Sequence, residues 1–178
     1  MGKMQEMHLH PYINEIKTNA RGAIYLIEKG KEKENLNFEK VIYYTLAVNL
    51  ASMISQIAYH NVTPNKYREK RQRTQERLDL INSSYPNLPS LPVYLRTIRN
   101  NSQHFDEKLD DWIFSRIENG GGYSYIQTID GDIEYYNTGV DYPLQRRIDD
   151  NGNLVYWDTT INIDELLDWC KEIIEYLK

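Results

Sequence analysis

The sequence predicts a mainly α-helical fold, an antiparallel bundle of about five helices with a small β-rich insertion before the last one. Two observations predict it. Apolar residues recur at three- and four-residue steps through most of the chain. Between 123 and 159 that period gives way to short alternating runs divided by Asp-Gly and Asn-Gly turns. At 178 residues the chain suits one domain, 1–178, with 123–159 inserted in it, and it can bury a core without metal or disulfide staples.

The first helix is expected over Tyr12 to Lys29, with Ile13, Ile16, Ala20, Ala23, Ile24 and Ile27 on its core face; Gly30 and a charged run end it. The second runs from Asn37 to about His60. Its apolar face is read as Val41, Ile42, Leu46, Leu50, Met53, Ile54 and Ile57. Ala47, Ala51 and Ala58 add small residues suited to a central helix. Asn61 and Thr63-Pro64 break the chain. The third, about Asn65 to Ser83, is the least apolar. Pro86 and Pro89 prevent its continuation.

The fourth helix is expected from Ser90 or Pro92 to about Glu118, where Gly120-Gly121-Gly122 stops it. Leu91, Leu95, Ile98, Ser102, Phe105, Leu109 and Trp112 form its core seam. Residues 123–129 and 133–136 read as a hairpin across Asp130-Gly131. Leu144–Ile148 and Leu154–Thr159 read as a second pair. The last helix, Ile163 to Leu177, follows Asn162 as N-cap and turns Leu166, Leu167, Cys170, Ile173, Ile174 and Leu177 inward.

Composition excludes several classes. Hydrophobic residues make up 40% and charged residues 26%, a globular balance. One cysteine rules out an internal disulfide and a cysteine-rich zinc site, and Cys170 is expected as a small buried hydrophobe. No stretch is read as a membrane span, and the N-terminus has no signal-like apolar region, so the expected compartment is the cytoplasm. The net charge of −5 argues against a generally basic coat for nucleic acid. Local basic surface is still expected on the third helix, where Lys66, Arg68, Lys70, Arg71, Arg73 and Arg77 can track a phosphate backbone. The plain alternative is a solvated face balanced by Glu69 and Glu76.

The fourth helix carries the sharpest chemistry. On a helical wheel Arg99, Asn100, Gln103, His104, Glu107 and Asp111 share the polar side away from the seam. Arginine offers a rigid fork for phosphate, and histidine exchanges a proton near neutral pH. An amide beside them can orient the imidazole or a ligand. Together they can hold an RNA phosphate and move protons at its neighbouring oxygens.

Arg99-Asn100-x-x-x-His104 resembles the Arg-Asn-x-x-x-His signature of the HEPN superfamily. That family consists of helical bundles, commonly dimeric. Many are metal-independent ribonucleases of toxin–antitoxin, phage-defence and RNA-processing systems; others are inactive binding modules. The resemblance implies that Arg99 holds the scissile phosphate, that His104 supports 2′-hydroxyl attack or leaving-group protonation, and that Asn100 assists. It implies RNA as substrate, a homodimer that brings two motifs together, and an antitoxin or regulatory protein as partner, with no cofactor and no metal. Asp106, two residues after His104, departs from the variant that carries tyrosine there.

Other readings stay open. A non-catalytic protein- or nucleotide-binding module of the same fold is one. A metal site built from His60, His104 and Asp106 or Glu107 is another, although no His-x-x-x-His or Glu-x-x-His pair is present. His8 and His10 are expected on a mobile terminus. Tyr123, Tyr125, Tyr135, Tyr136, Tyr142, Tyr156 and Trp157 either stack bases or serve packing and oligomerisation.

Overall fold

The computed structural model describes residues 4–33, 37–59, 68–103, 106–107, 110–111, 114, 126–129, 132–135, 146–156 and 159–178. It is a helical bundle, with a small three-stranded antiparallel sheet placed before the C-terminal helix. A 3-10 helix, Glu6–Leu9, leads directly into α1, His10–Lys31. α2 is Asn37–Ala58, α3 Arg68–Ser84 and α4 Val93–Gln103. Helical backbone recurs at Asp106, Glu107, Asp110, Asp111 and Phe114. The C-terminal helix, α5, is Ile163–Tyr176.

Two sheets precede α5. β1 (Ile126–Ile129) and β2 (Asp132–Tyr135) form an antiparallel hairpin with Ile129 opposite Asp132. β3 (Arg146–Ile148), β4 (Leu154–Tyr156) and β5 (Thr159–Ile161) form an antiparallel meander. Here the structure departs from the sequence reading, which took 154–159 as one strand; Leu154 instead pairs with Ile161 and Tyr156 with Thr159. The loop before β4 folds as expected. Asp149 Oδ1 accepts the backbone N–H groups of Asn151 and Asn153 at 3.0 and 2.8 Å, and Gly152 takes φ +78°.

The core lies between α1, α2, α4, α5 and the meander. Ile16, Ala20, Ala23 and Ile27 of α1 are fully buried, as are Leu95 and Ile98 of α4 and Leu166, Cys170 and Ile173 of α5. Each large aliphatic buried this way contributes about 1.5–3 kcal/mol. α1 and α5 run antiparallel, with Lys31 beside Asp164 and Glu28 beside Lys171. Those pairs are exposed and add roughly 0–1 kcal/mol each, so burial decides that packing. Asn162 caps α5, accepting the N–H groups of Asp164 and Glu165 at 3.0 and 3.1 Å.

The N-terminus differs from expectation. Leu9 is 1% exposed, the 3-10 helix packs on α3, and His8 Nδ1 accepts the Gln5 N–H at 2.9 Å. His8 and His10 therefore sit on a docked segment rather than a mobile one.

α2 requires a larger correction. Its buried face is Val41, Tyr44, Ala47, Val48, Ala51, Ile54 and Ala58, with Thr45, Ser52 and Ser55. Of the expected face, Ile42, Leu46 and Met53 are exposed at 42, 46 and 50%. The buried Tyr44 fits because α1 has no side chain opposite it: a Cβ added to Gly30 would lie 2.4 Å from the Tyr44 ring. α2 is thus apolar on both faces. It is the one helix among the described residues long and apolar enough to cross a membrane by length and composition (Phe38–Ala58, 56% buried in this fold), which the sequence reading did not find.

Candidate functional site

α4 follows Pro92, whose carbonyl accepts the Leu95 N–H at 3.1 Å. Leu95 and Ile98 anchor the helix on α2 and β5, as the seam predicts. The polar residues behave differently from a simple solvated face. Arg99 is only 8% exposed and Asn101 7%, whereas Arg96 and Asn100 are exposed. The Arg99 guanidinium turns back on its neighbour: Nε and Nη2 both donate to Asn100 Oδ1, at 3.1 and 2.7 Å. Burial first, then the neighbouring Arg96, lower the Arg99 pKa from its ordinary value. A guanidinium stays charged at any working pH.

The site can therefore present a positive fork fixed in one orientation by an amide on the same turn. His104, the other half of the motif, lies outside the described residues, as does Lys66. Arg68 is placed in α3 by its backbone. Arg71 is half-buried and Arg73 exposed on the same helix. α3 packs on the 3-10 helix and α2, while α4 packs on α2 and β5; α2 is their shared neighbour. Arg77 is engaged internally. Its guanidinium carbon lies 5.2 Å from the centre of the Tyr12 ring, and Nη2 donates to the Gln56 carbonyl at 3.2 Å. It ties α3 to α1 and α2 rather than offering itself to phosphate.

The remaining candidates resolve in part. Cys170 is fully buried, and desolvation pushes its thiol up to about 12, which suits a core residue and not a nucleophile. Tyr156, from the aromatic group of the insertion, is 2% exposed; its ring receives Arg146 at 4.5 Å and its hydroxyl accepts from Arg146 Nη2 at 3.0 Å. That tyrosine serves packing. Among the described residues no three His, Cys, Asp or Glu side chains could hold a metal ion together. His60, the other histidine of the metal reading, lies outside the described residues with His104.

Two surfaces were not anticipated. The outer side of α5 bears two adjoining open grooves of about 520 and 570 Å³, both lined by Asp168 and Glu172. Glu165 and Glu175 extend the acidic surface, and the Tyr176 hydroxyl there accepts the Asn87 N–H at 3.1 Å. The carboxylates recur at three- and four-residue steps in the sequence, which was the available signal. Such a surface, with Lys171 the one cation among its lining residues, is unfavourable to polyanions. The second surface is the outer face of α2. Comparison with protein-family models, with characterised proteins and with solved structures returns no match to this chain.

Proposed function

We propose that this chain is a HEPN-like, metal-independent RNA endonuclease of the toxin–antitoxin or phage-defence kind. In this reading it works as a homodimer in the cytoplasm under the control of a partner protein. Arg99 holds the scissile phosphate, and His104 moves protons at the 2′-hydroxyl and the leaving oxygen. Asn100 orients the arginine, while Lys66, Arg68, Arg71 and Arg73 attract the backbone. The supporting observation is the Arg99–Asn100 fork: a cation already held in one rotamer loses less freedom when it binds an oxyanion.

The burial of Arg99 favours a second reading, a non-catalytic protein- or nucleotide-binding module of the same fold. A guanidinium 8% exposed must be uncovered before it meets a phosphodiester. The deciding experiment is cleavage of a mixed RNA substrate in excess chelator. The nuclease reading expects cleavage by wild type and a loss of about a hundredfold or more in Arg99→Ala and His104→Ala. A folded, dimeric wild type that cleaves nothing leaves the binding module.

A further inference from the structure

We propose that the outer face of α2 is a self-association surface that packs along the same face of a second copy of this chain. The proposal deepens the dimeric part of the reading above, on which it rests, and is independent of the cleavage chemistry. From Val41 to Ala58 the sequence contains no Asp, Glu, Lys or Arg. A helix at a protein surface normally turns charge outward. Here large apolar side chains face out instead, with Ile42, Leu46 and Met53 exposed at 42, 46 and 50% and Phe38 at 37%. Loss of charge from the centre of a patch is the compositional mark of an interface.

The spacing selects another helix as the occupant. Ile42, Leu46, Asn49 and Met53 follow steps of four, three and four, the repeat that lets one helix seat its side chains between those of another. Asn49, half-buried, sits in the middle of that stripe. A single amide within an apolar seam sets register and partner number, because only a matching amide across the contact satisfies it. A second copy supplies that match by construction.

Area and charge agree with this occupant. The 22 residues of α2 span about 33 Å. The patch widens onto α1, where Tyr25 is 59% exposed and Lys29 Nζ lies 6.0 Å from the centre of its ring. Two helices roughly 10 Å apart then offer a face of order 600–700 Å², close to the roughly 800 Å² that each partner gives a standard interface. A lipid surface fits less well. Helices that lie on membranes border their apolar face with Lys and Arg along its length; α2 has none after Lys40, and Lys29 of α1 stands near the start of the stripe rather than along it.

The test is the mass of the full-length chain by light scattering and sedimentation over a wide concentration range. Wild type should weigh twice 21.1 kDa. Leu46→Glu and Met53→Glu should weigh 21.1 kDa with helical circular dichroism retained. Val93→Glu, on the exposed side of α4, should remain dimeric. If the glutamate variants unfold, Ile42→Ala/Leu46→Ala keeps helix-favouring residues at exposed positions and should raise the dimer dissociation constant at least tenfold. A monomeric wild type overturns the proposal, whether or not it binds phosphatidylglycerol vesicles. So does a dimer that survives both glutamate substitutions or is unmoved by the double alanine variant. A dimer that cleaves no RNA removes the nuclease reading and leaves this face standing; a monomer that cleaves RNA does the reverse.

Discussion

Arg99 and Asn100 show what a helical wheel can and cannot foresee. The wheel gives the direction of a Cβ, not the path of a long side chain beyond it. Arg99 could be singled out from sequence as a candidate for phosphate, but its return onto Asn100 and its burial could not be foreseen. Asn100→Ala removes an acceptor from a partly buried guanidinium, so it should cost about 1–3 kcal/mol in urea unfolding. Arg99→Ala/Asn100→Ala should cost less than the two single losses added together, because the amide and the guanidinium depend on each other. Asp149 offers a pH test at the same scale. Hydrogen bonds, first from the Asn153 backbone N–H, hold its carboxyl below the ordinary aspartate value. The charged form is therefore favoured by folding. The loop should keep its order above the unfolded aspartate value of about 4 and lose it as pH falls through the lower folded value. Amide shifts of Asn151 and Asn153 during an acid titration measure that opening.

At the scale of elements, α1 and α5 were legible because their large apolar residues fall on one face and nowhere else. α2 was not. With apolar residues on both faces, its period does not say which face is inside. α1 bears on the choice through its glycines, which leave room for Tyr44 and Leu50 and so fit the face of α2 that carries them. The two glycines should respond differently to alanine. At Gly30 the new Cβ meets the buried Tyr44 ring, and overpacking of about 1–3 kcal/mol should outweigh a helix-propensity gain of roughly 1 kcal/mol. At Gly22 the Cβ meets only the end of Leu50, 2.8 Å away, and that flexible group can rotate aside. Gly22→Ala should be neutral or stabilising. Thermal melts of the two variants decide it. The division of 154–161 into two strands was hidden for another reason: Val155, Tyr156, Trp157, Thr159 and Thr160 all favour extended backbone, and the strand-forming types on either side hid the break.

For the whole molecule, the bundle could be read from the sequence because each helix has a stop signal or a cap and the connections are mostly short. What lay beyond the pattern was that the fold leaves Ile42, Leu46 and Met53 of α2 exposed. The buried thiol of Cys170 also reports on the whole fold. In the native state its pKa is pushed up to about 12, against about 8.5 in an unfolded chain. Folding favours the protonated form, so its contribution to stability is complete below about pH 8.5 and declines as pH rises towards 12. Relative to Cys170→Ala, wild type should lose about 1.4 kcal/mol per pH unit in that window. Guanidinium titrations at several pH values measure the difference. The thiol should also resist an aromatic disulfide reagent at pH 8 until the protein unfolds.

The antiparallel pairing of α1 and α5 carries a consequence for chain connectivity. Because Lys31 meets Asp164 and Glu28 meets Lys171, the start of α1 lies at the same end of the molecule as the finish of α5. The first and last helices are neighbours that run in opposite directions, α1 being the longer by eight residues. Circular permutation should therefore be tolerated: a flexible Gly-Ser linker that spans the extra two turns of α1, about 12 Å, joins Lys178 to the N-terminal segment, and new ends open between Asn151 and Gly152, in a turn exposed at both residues. In that rearranged order α5 would leave the ribosome before α2, and the core would begin to form around the helix that in the natural order arrives last.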